Sequence, residues 1–253
     1  MRGRWAQRFE FARLVAMHAP ARPDLIAPDI LLLAYRAGIF PMSDARDDPD
    51  VFWVEPRIRA ILPLDGFHLS RSLKKTLRRE SFEVTCNAAF SRVIEACAAP
   101  RPTEGGGSWI SERIQASYEN LHRLGFAHSI ECWREDKLVG GLYGVGFDRV
   151  FCGESMFSTV SDASKVALAW LVAAMREGGF ELLDCQFQTE HLSTLGAVEL
   201  PQEEYLALLR DAQRDHSSDE SPPSLEEAFS SLLAAPGDAS PGYRIAQSLT
   251  QTS

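Results

Sequence analysis

Three sets of residues combine types and spacings that can carry chemistry. Arg71, Lys74, Lys75, Arg78 and Arg79 recur at i, i+3, i+4, i+7 and i+8, so a helix there gathers five cations on one face. Like charges at that spacing weaken a helix, and bound phosphates would offset the cost through charge-assisted contacts and counterion release. The alternative is an ordinary solvated face. Asp184 and Gln186 stand two apart in the apolar stretch FELLDCQF, and on a strand both project to the same face. There the carboxylate would orient or polarise the amide and the pair would guide an attacking amine; otherwise they are two polar groups satisfying backbone at a strand end. Glu154 is the single acid of FCGESMFS. A carboxylate in apolar surroundings is costly unless paired, which makes it a candidate for binding a cation, or else an acid satisfied by backbone N–H groups.

Other chemistries find less support. Cys152 and Cys185 with His128 or His191 would need a low-pKa thiolate and a positioned base. No local cue supplies either, and small core residues on strands are the simpler reading. The five cysteines (86, 97, 132, 152, 185) are odd in number and form no C-x-x-C pair. That favours reduced thiols and a cytoplasmic location, and no spacing suits a structural zinc. No metal is expected. The glycines of VGGLYG (139–144) sit inside a strand pattern, so they suggest a bulge or a close backbone approach to a ligand rather than a phosphate loop.

These residues need a framework to hold them. The chain has 253 residues, 45% apolar and 24% charged, a balance that buries a sizeable core. Its longest helix-like apolar stretch, Val166–Met175, is about half the length that crosses a bilayer, so no membrane is expected as a partner. The net charge of −9 is uneven: +3 over residues 1–20, −7 over 21–210 and −5 over 211–253. Four arginines open the chain, but Glu10 and Arg13 interrupt the run a signal peptide would need.

Helical spacing predicts helices over 28–38 with Asp29 as cap, 70–79, 87–98, 110–124 and 202–213. Ala163–Glu177 reads as a strongly apolar helix capped by Asp162 and ended by Gly178-Gly179. Strands are predicted at 51–54, 128–134, 138–146, 150–157 and 180–187. From about Arg214 the chain is rich in Ser, Pro, Asp and Glu, a composition that predicts disorder with at most a short helix over 225–233. Three antiparallel strands, a helix, a strand and a helix form a mixed α/β class. The order resembles the GNAT acyltransferase fold. CoA-dependent members carry a Gln/Arg-x-x-Gly-x-Gly/Ala pyrophosphate loop, where this chain has STVSDASK (158–165), so CoA is not expected.

Nine stretches in order, among them LLLAYRAGIFP (31–41), HLSRSLKK (68–75), FEVTCNAAFSRVIEACA (82–98), LHRLGFAHSIECWREDKLVGGLYGV (121–145), FCGESMFS (151–158), LLDCQ (182–186) and HLSTLGA (191–197), resemble the bacterial leucyl/phenylalanyl-tRNA–protein transferases. The resemblance covers about residues 28–210. It implies an enzyme that moves Leu or Phe, sometimes Met, from aminoacyl-tRNA to the N-terminal Lys or Arg of a protein, marking it for degradation, with no cofactor beyond the aminoacyl-tRNA co-substrate. It also implies a small N-terminal domain (1–57) and a GNAT-like domain (58–213); the acidic tail of this chain (214–253) lies outside the family's common pattern. Asp184 and Gln186 match the catalytic pair, and Glu154 the acid that takes the basic side chain. Met156, Leu142 and Ser155 match the pocket for the transferred side chain, Trp109 a tryptophan near the terminal adenosine, and Arg71, Lys74, Lys75, Arg78 and Arg79 the tRNA-binding cluster. Two positions depart from the family: Met42 replaces a usual tryptophan, whose stacking role is lost or moves to Trp53, and Leu142 stands where Met is common. A CoA-dependent acyltransferase and a non-catalytic RNA-binding module are the competing readings.

Overall fold

The computed structural model describes residues 6–9, 25–100, 108–214 and 224–250. Pro28 opens α1 (Pro28–Arg36) from an N-cap at Ala27. The expected Asp29 cap does not form, because Asp29 already lies in the first turn, where its charge suits the positive end of the helix dipole. Leu31, Leu32, Ala34 and Tyr35 make the buried face, and Gly38, at a φ of 78°, turns the chain out of the helix. Three short strands, β1 (Ala6–Phe9), β2 (Phe40–Met42) and β3 (Phe52–Pro56), form a small antiparallel sheet in the order β1-β3-β2.

A larger sheet takes the rest of the strands: β4 (Ile58–Ile61), β5 (Glu83–Cys86), β6 (Ala127–Arg134), β7 (Lys137–Phe147), β8 (Val150–Ser158), β9 (Leu182–Gln186) and β10 (Val198–Pro201). Their order is β10-β4-β9-β8-β7-β6-β5. All neighbours are antiparallel except β8 and β9. That parallel pair is connected through α5 (Ala163–Glu177), as a crossover connection requires. Pairing between them stops at Cys152↔Asp184 while β8 runs on to Ser158, so the sheet parts in its middle.

Helices cover both faces. On one side α5 packs with α2 (Arg71–Arg78), where Ser70 Oγ accepts the Leu73 N–H at 3.2 Å as N-cap. On the other lie α1, α3 (Phe90–Ala98), α4 (Glu112–Arg123) and α7 (Gln202–Ala212). A one-turn helix, α6 (Glu190–Ser193), follows β9. The α5 N-terminus departs from expectation: Asp162 holds the N-cap position at a φ of 69° without a side-chain capping hydrogen bond, and Ser158 Oγ instead accepts the Ser164 N–H at 3.3 Å. The β7 glycines serve packing. A Cβ at Gly140 would lie 2.5 Å from that of Ala163 at the start of α5, and one at Gly144 would run into the Cys152 carbonyl oxygen.

The C-terminal stretch corrects the disorder expectation. Residues 224–250 form α8 (Leu225–Ala234) and α9 (Pro241–Ser248), which lay Leu225, Phe229, Ile245, Ala246 and Leu249 into the core shared with α5 and α2. Phe229 packs on Trp170 of α5 with ring centroids 5.2 Å apart. The reason lies in α5, which is buried nearly all round and whose outward side therefore demands a cover. A capping box between Ser224 and Glu227 starts α8. Residues 215–223 and 251–253 of the expected tail lie outside the described residues.

Candidate active site

Where β8 and β9 part, a cleft of about 970 Å³ opens between the two strand ends. The register change between β7 and β8 pairs Tyr143 with Ser155 and Gly144 with Gly153, leaving Glu154 as the extra residue of a bulge. A bulge re-aims its side chain, and here the aimed group is the carboxylate. Glu154 is 9% exposed. Its Oε1 accepts from Tyr35 Oη at 2.7 Å and Gln186 Nε2 at 2.8 Å, and its Oε2 from Tyr118 Oη at 3.1 Å. All three donors are neutral, and among the described residues no cation forms a salt bridge with it. Burial pushes its pKa up to about 7, against the opposing pull of the two tyrosine hydroxyls.

Asp184 sits on the neighbouring strand in another setting. It is fully buried, and Arg59 grips it with Nε at 2.8 Å and Nη2 at 2.5 Å. Tyr205 Oη donates to it at 2.9 Å and the Gln186 backbone N–H at 2.8 Å. Arg59 also donates to the Gly38 carbonyl at 3.0 Å, and its guanidinium lies between the rings of Phe40 and Tyr205. Asp184 therefore does not line the cleft. It holds Gln186 through the main chain, while the Gln186 side chain reaches Glu154. Gln186 has a φ of 57°, so the flat-strand expectation of two side chains on one face fails at this residue.

The remaining sequence-derived candidates divide in two. Leu142, Met156, Ser155, Trp109, Glu154 and Gln186 all line the one cleft. Leu142 and Met156 are a cross-strand pair, and with Leu168 and Leu171 of α5 they make an apolar pouch beneath the sheet gap. Trp109 and Met42 are also among the lining residues; Trp53 is not. The four cations of α2 and Arg79 at its C-cap line no part of the cleft, but α2 packs in the same layer as α5. Arg71, Lys75, Arg78 and Arg79 are exposed and Lys74 is half-buried. For Cys152 and Cys185 burial raises both thiols, with Asp184 adding to it, and burial lowers His128 to about 4, so none of these shifts supports a thiolate nucleophile. Among the described residues no three metal-ligating side chains converge, and no helix is long and apolar enough to cross a membrane.

Sequence reading passed over Arg59, Tyr35, Tyr118, Tyr205 and Tyr143. Arg59 had a usable signal: a lone charge in the apolar run IRAIL is the mirror of Glu154 in FCGESMFS.

A family model described as leucyl/phenylalanyl-tRNA protein transferase matches residues 61–210, and the model of that family's N-terminal domain matches residues 24–57. The chain belongs to this family. It is thus an enzyme of the aminoacyltransferase class. Among curated relatives, a leucyl/phenylalanyl-tRNA–protein transferase of Novosphingobium aromaticivorans is 60% identical, covering 91% of this chain and 98% of that protein. One from Rhizorhabdus wittichii is 59% identical over 73% of this chain and 74% of its own length. Another, from Zymomonas mobilis, is 55% identical over 78% and 73%.

Proposed function

We propose that the cleft joins Leu or Phe from aminoacyl-tRNA to a protein whose N-terminal residue is Lys or Arg. The observation that carries this reading is the meeting, in one opening, of an apolar pouch, a free amide acceptor and a buried carboxylate without a cation. The pouch of Leu142, Met156, Leu168 and Leu171 fits an aliphatic or aromatic side chain. Burying such a group contributes about 1.5–3 kcal/mol. Ser155 lines the same cleft.

Amine attack on an ester needs the amine neutral, oriented and close to the carbonyl carbon. Because Gln186 Nε2 is committed to Glu154, its Oε1 is left to accept an N–H of the attacking α-amine and aim the lone pair at the ester. Asp184 is a positioning residue in this scheme. Clamped by Arg59 and Tyr205, it fixes the unusual main-chain turn at Gln186 and so the direction of the amide. Glu154 takes the cationic side chain of the acceptor. The new amide bond forms as the ester C–O bond breaks, and the proton lost by the amine leaves with the 3′ oxygen of the tRNA.

Trp109 at the cleft supplies a ring on which the terminal adenine would stack. The α2 cations would hold phosphates of the acceptor stem. A cytoplasmic setting, where charged tRNA is found, accords with five free cysteines. A CoA enzyme is the poorer reading, since the α5 N-terminus that would meet a pyrophosphate bears Asp162, 4.0 Å from its own partner Lys165.

Radiolabelled Leu or Phe on tRNA, offered with peptides beginning in Arg, Lys, Asp or Ala, tests this directly. Labelling confined to Arg and Lys peptides is expected. Labelling of the Asp peptide would retain the transferase and remove the role given to Glu154.

A further inference from the structure

The C-terminal pair α8–α9 lies beyond the stretch that the family models match, which ends at residue 210. Its closest approach to α2 is at the end carrying Arg78 and Arg79. There Gly242 of α9 presses so near that a Cβ would run into the Leu77 carbonyl oxygen. Its N–H donates to Glu80 Oε1 at 3.2 Å, and the next residue, Tyr243, lays its ring against the Arg78 guanidinium, 4.3 Å from centroid to Cζ.

We infer that α8–α9 braces the basic face of α2 for phosphate, with Tyr243 as the positioning residue for Arg78. This rests on the reading above that α2 contacts tRNA. Three physical points support it. A ring stacked on a guanidinium occupies its flat face and leaves the N–H edge, the part that grips phosphate, open. Arg78 remains exposed despite the stacking. Glu80, next to Arg79 in the chain, accepts from the first turn of α9, and among the described residues none of the five cations is in a salt bridge. The acids of α8 are likewise engaged elsewhere: Glu226 accepts from Asn87 Nδ2 at 3.1 Å and Glu227 closes the α8 cap. The extension thus adds a neutral aromatic support to the cationic face, and none of its described acids forms a salt bridge with the five cations.

The test compares steady-state transfer with two donors: charged tRNA, and the aminoacyl ester of adenosine, which has the reacting bond but no phosphates. Tyr243→Ala is expected to raise KM for charged tRNA about two- to five-fold, the size of an exposed cation–π contact. Its kcat and its KM for the adenosine ester stay unchanged, and Tyr243→Phe restores the tRNA value. In an Arg78→Ala background Tyr243→Ala adds nothing further, because the brace acts through Arg78. An unchanged KM would overturn the inference. So would a lowered one, which would make Tyr243 a mask, or an equal rise with both donors, which would make it a general support of the fold. Lys74→Ala with Lys75→Ala separates the two readings. If that pair raises KM for tRNA and weakens its salt dependence while Tyr243→Ala does nothing, α2 binds tRNA and the brace is wrong. If the pair also leaves KM unmoved, the α2 reading fails and the brace falls with it.

Discussion

Two buried carboxylates stand on adjacent strands, Asp184 on β9 and Glu154 on β8, and the protein satisfies them in opposite ways. Around Asp184 it built a complete set: a bidentate guanidinium, a tyrosine hydroxyl and a backbone N–H, with no exposure. Around Glu154 it placed two tyrosines and a glutamine amide, enough to hold the carboxylate still but not to cancel its charge. A charge matched inside the fold serves the fold. A charge held in place and left unmatched at a cleft is available to a ligand of opposite sign.

The comparison breaks most readily at Asp184. Asp184→Asn leaves Arg59 charged and enclosed with no counter-charge, so it is expected to cost about 3–5 kcal/mol, read by urea denaturation at neutral pH. A loss below about 1 kcal/mol would mean that the clamp is not structural. Replacing Asp184 is therefore expected to impair turnover largely by loosening Gln186, with activity compared at matched folded fraction.

Glu154→Gln should act with the other sign. The folded pKa of about 7 lies above the ordinary carboxylate value of 4.5, so the contribution of the protonated group is full below pH 4.5 and is lost as pH rises through 7. The wild type is thus expected to lose stability from Glu154 between those values, on the order of 3 kcal/mol, and Glu154→Gln to flatten that slope. Denaturation at pH 5 and pH 8 measures it. The same variant should lose selectivity for Arg- and Lys-initial peptides, because the cation then meets a neutral amide.

A finer test is Tyr118→Phe, which deletes the 3.1 Å bond to Oε2. Since that hydroxyl lowers the Glu154 pKa, its removal should shift the pH dependence of the acceptor KM upward and destabilise the protein by about 1 kcal/mol. A downward shift would show that the tyrosine does not act on the carboxylate.

Much of this contrast was legible in the sequence, and part was not. Glu154 stood out because an acid among Phe, Met and Cys violates the pattern of a buried strand, and α5 because its apolar residues run past one face. Gln186 stood out by its spacing from Asp184, whereas Leu142 and Met156 are marked as cleft residues only by the family resemblance. The Asp184 clamp was hidden, since its partner Arg59 is 125 residues away and lies on β4, a four-residue strand too short to show a period. The positive φ of Gln186 has no sequence cue, as glutamine seldom adopts it. In the C-terminal stretch the short helix over 225–233 is legible and matches α8, but α9 and the packing of both helices on the core are not, because Ser, Pro and acids dominate the average there. The information lay in particulars: the spacing Ser224-x-x-Glu227, and a helix α5 whose outer side lacked a cover.

Arg59 has one more effect, on the thermodynamics of the whole chain. It stands in the large sheet, yet it donates to the Gly38 carbonyl and touches Phe40, both in the segment matched by the N-terminal model, while its charge is neutralised by Asp184. Tyr35, from that same segment, holds Glu154. Detaching residues 24–57 would uncover a guanidinium ion pair and strip a donor from the cleft carboxylate at once. The two segments are therefore expected to melt together, although the boundary near residue 57 divides the family models.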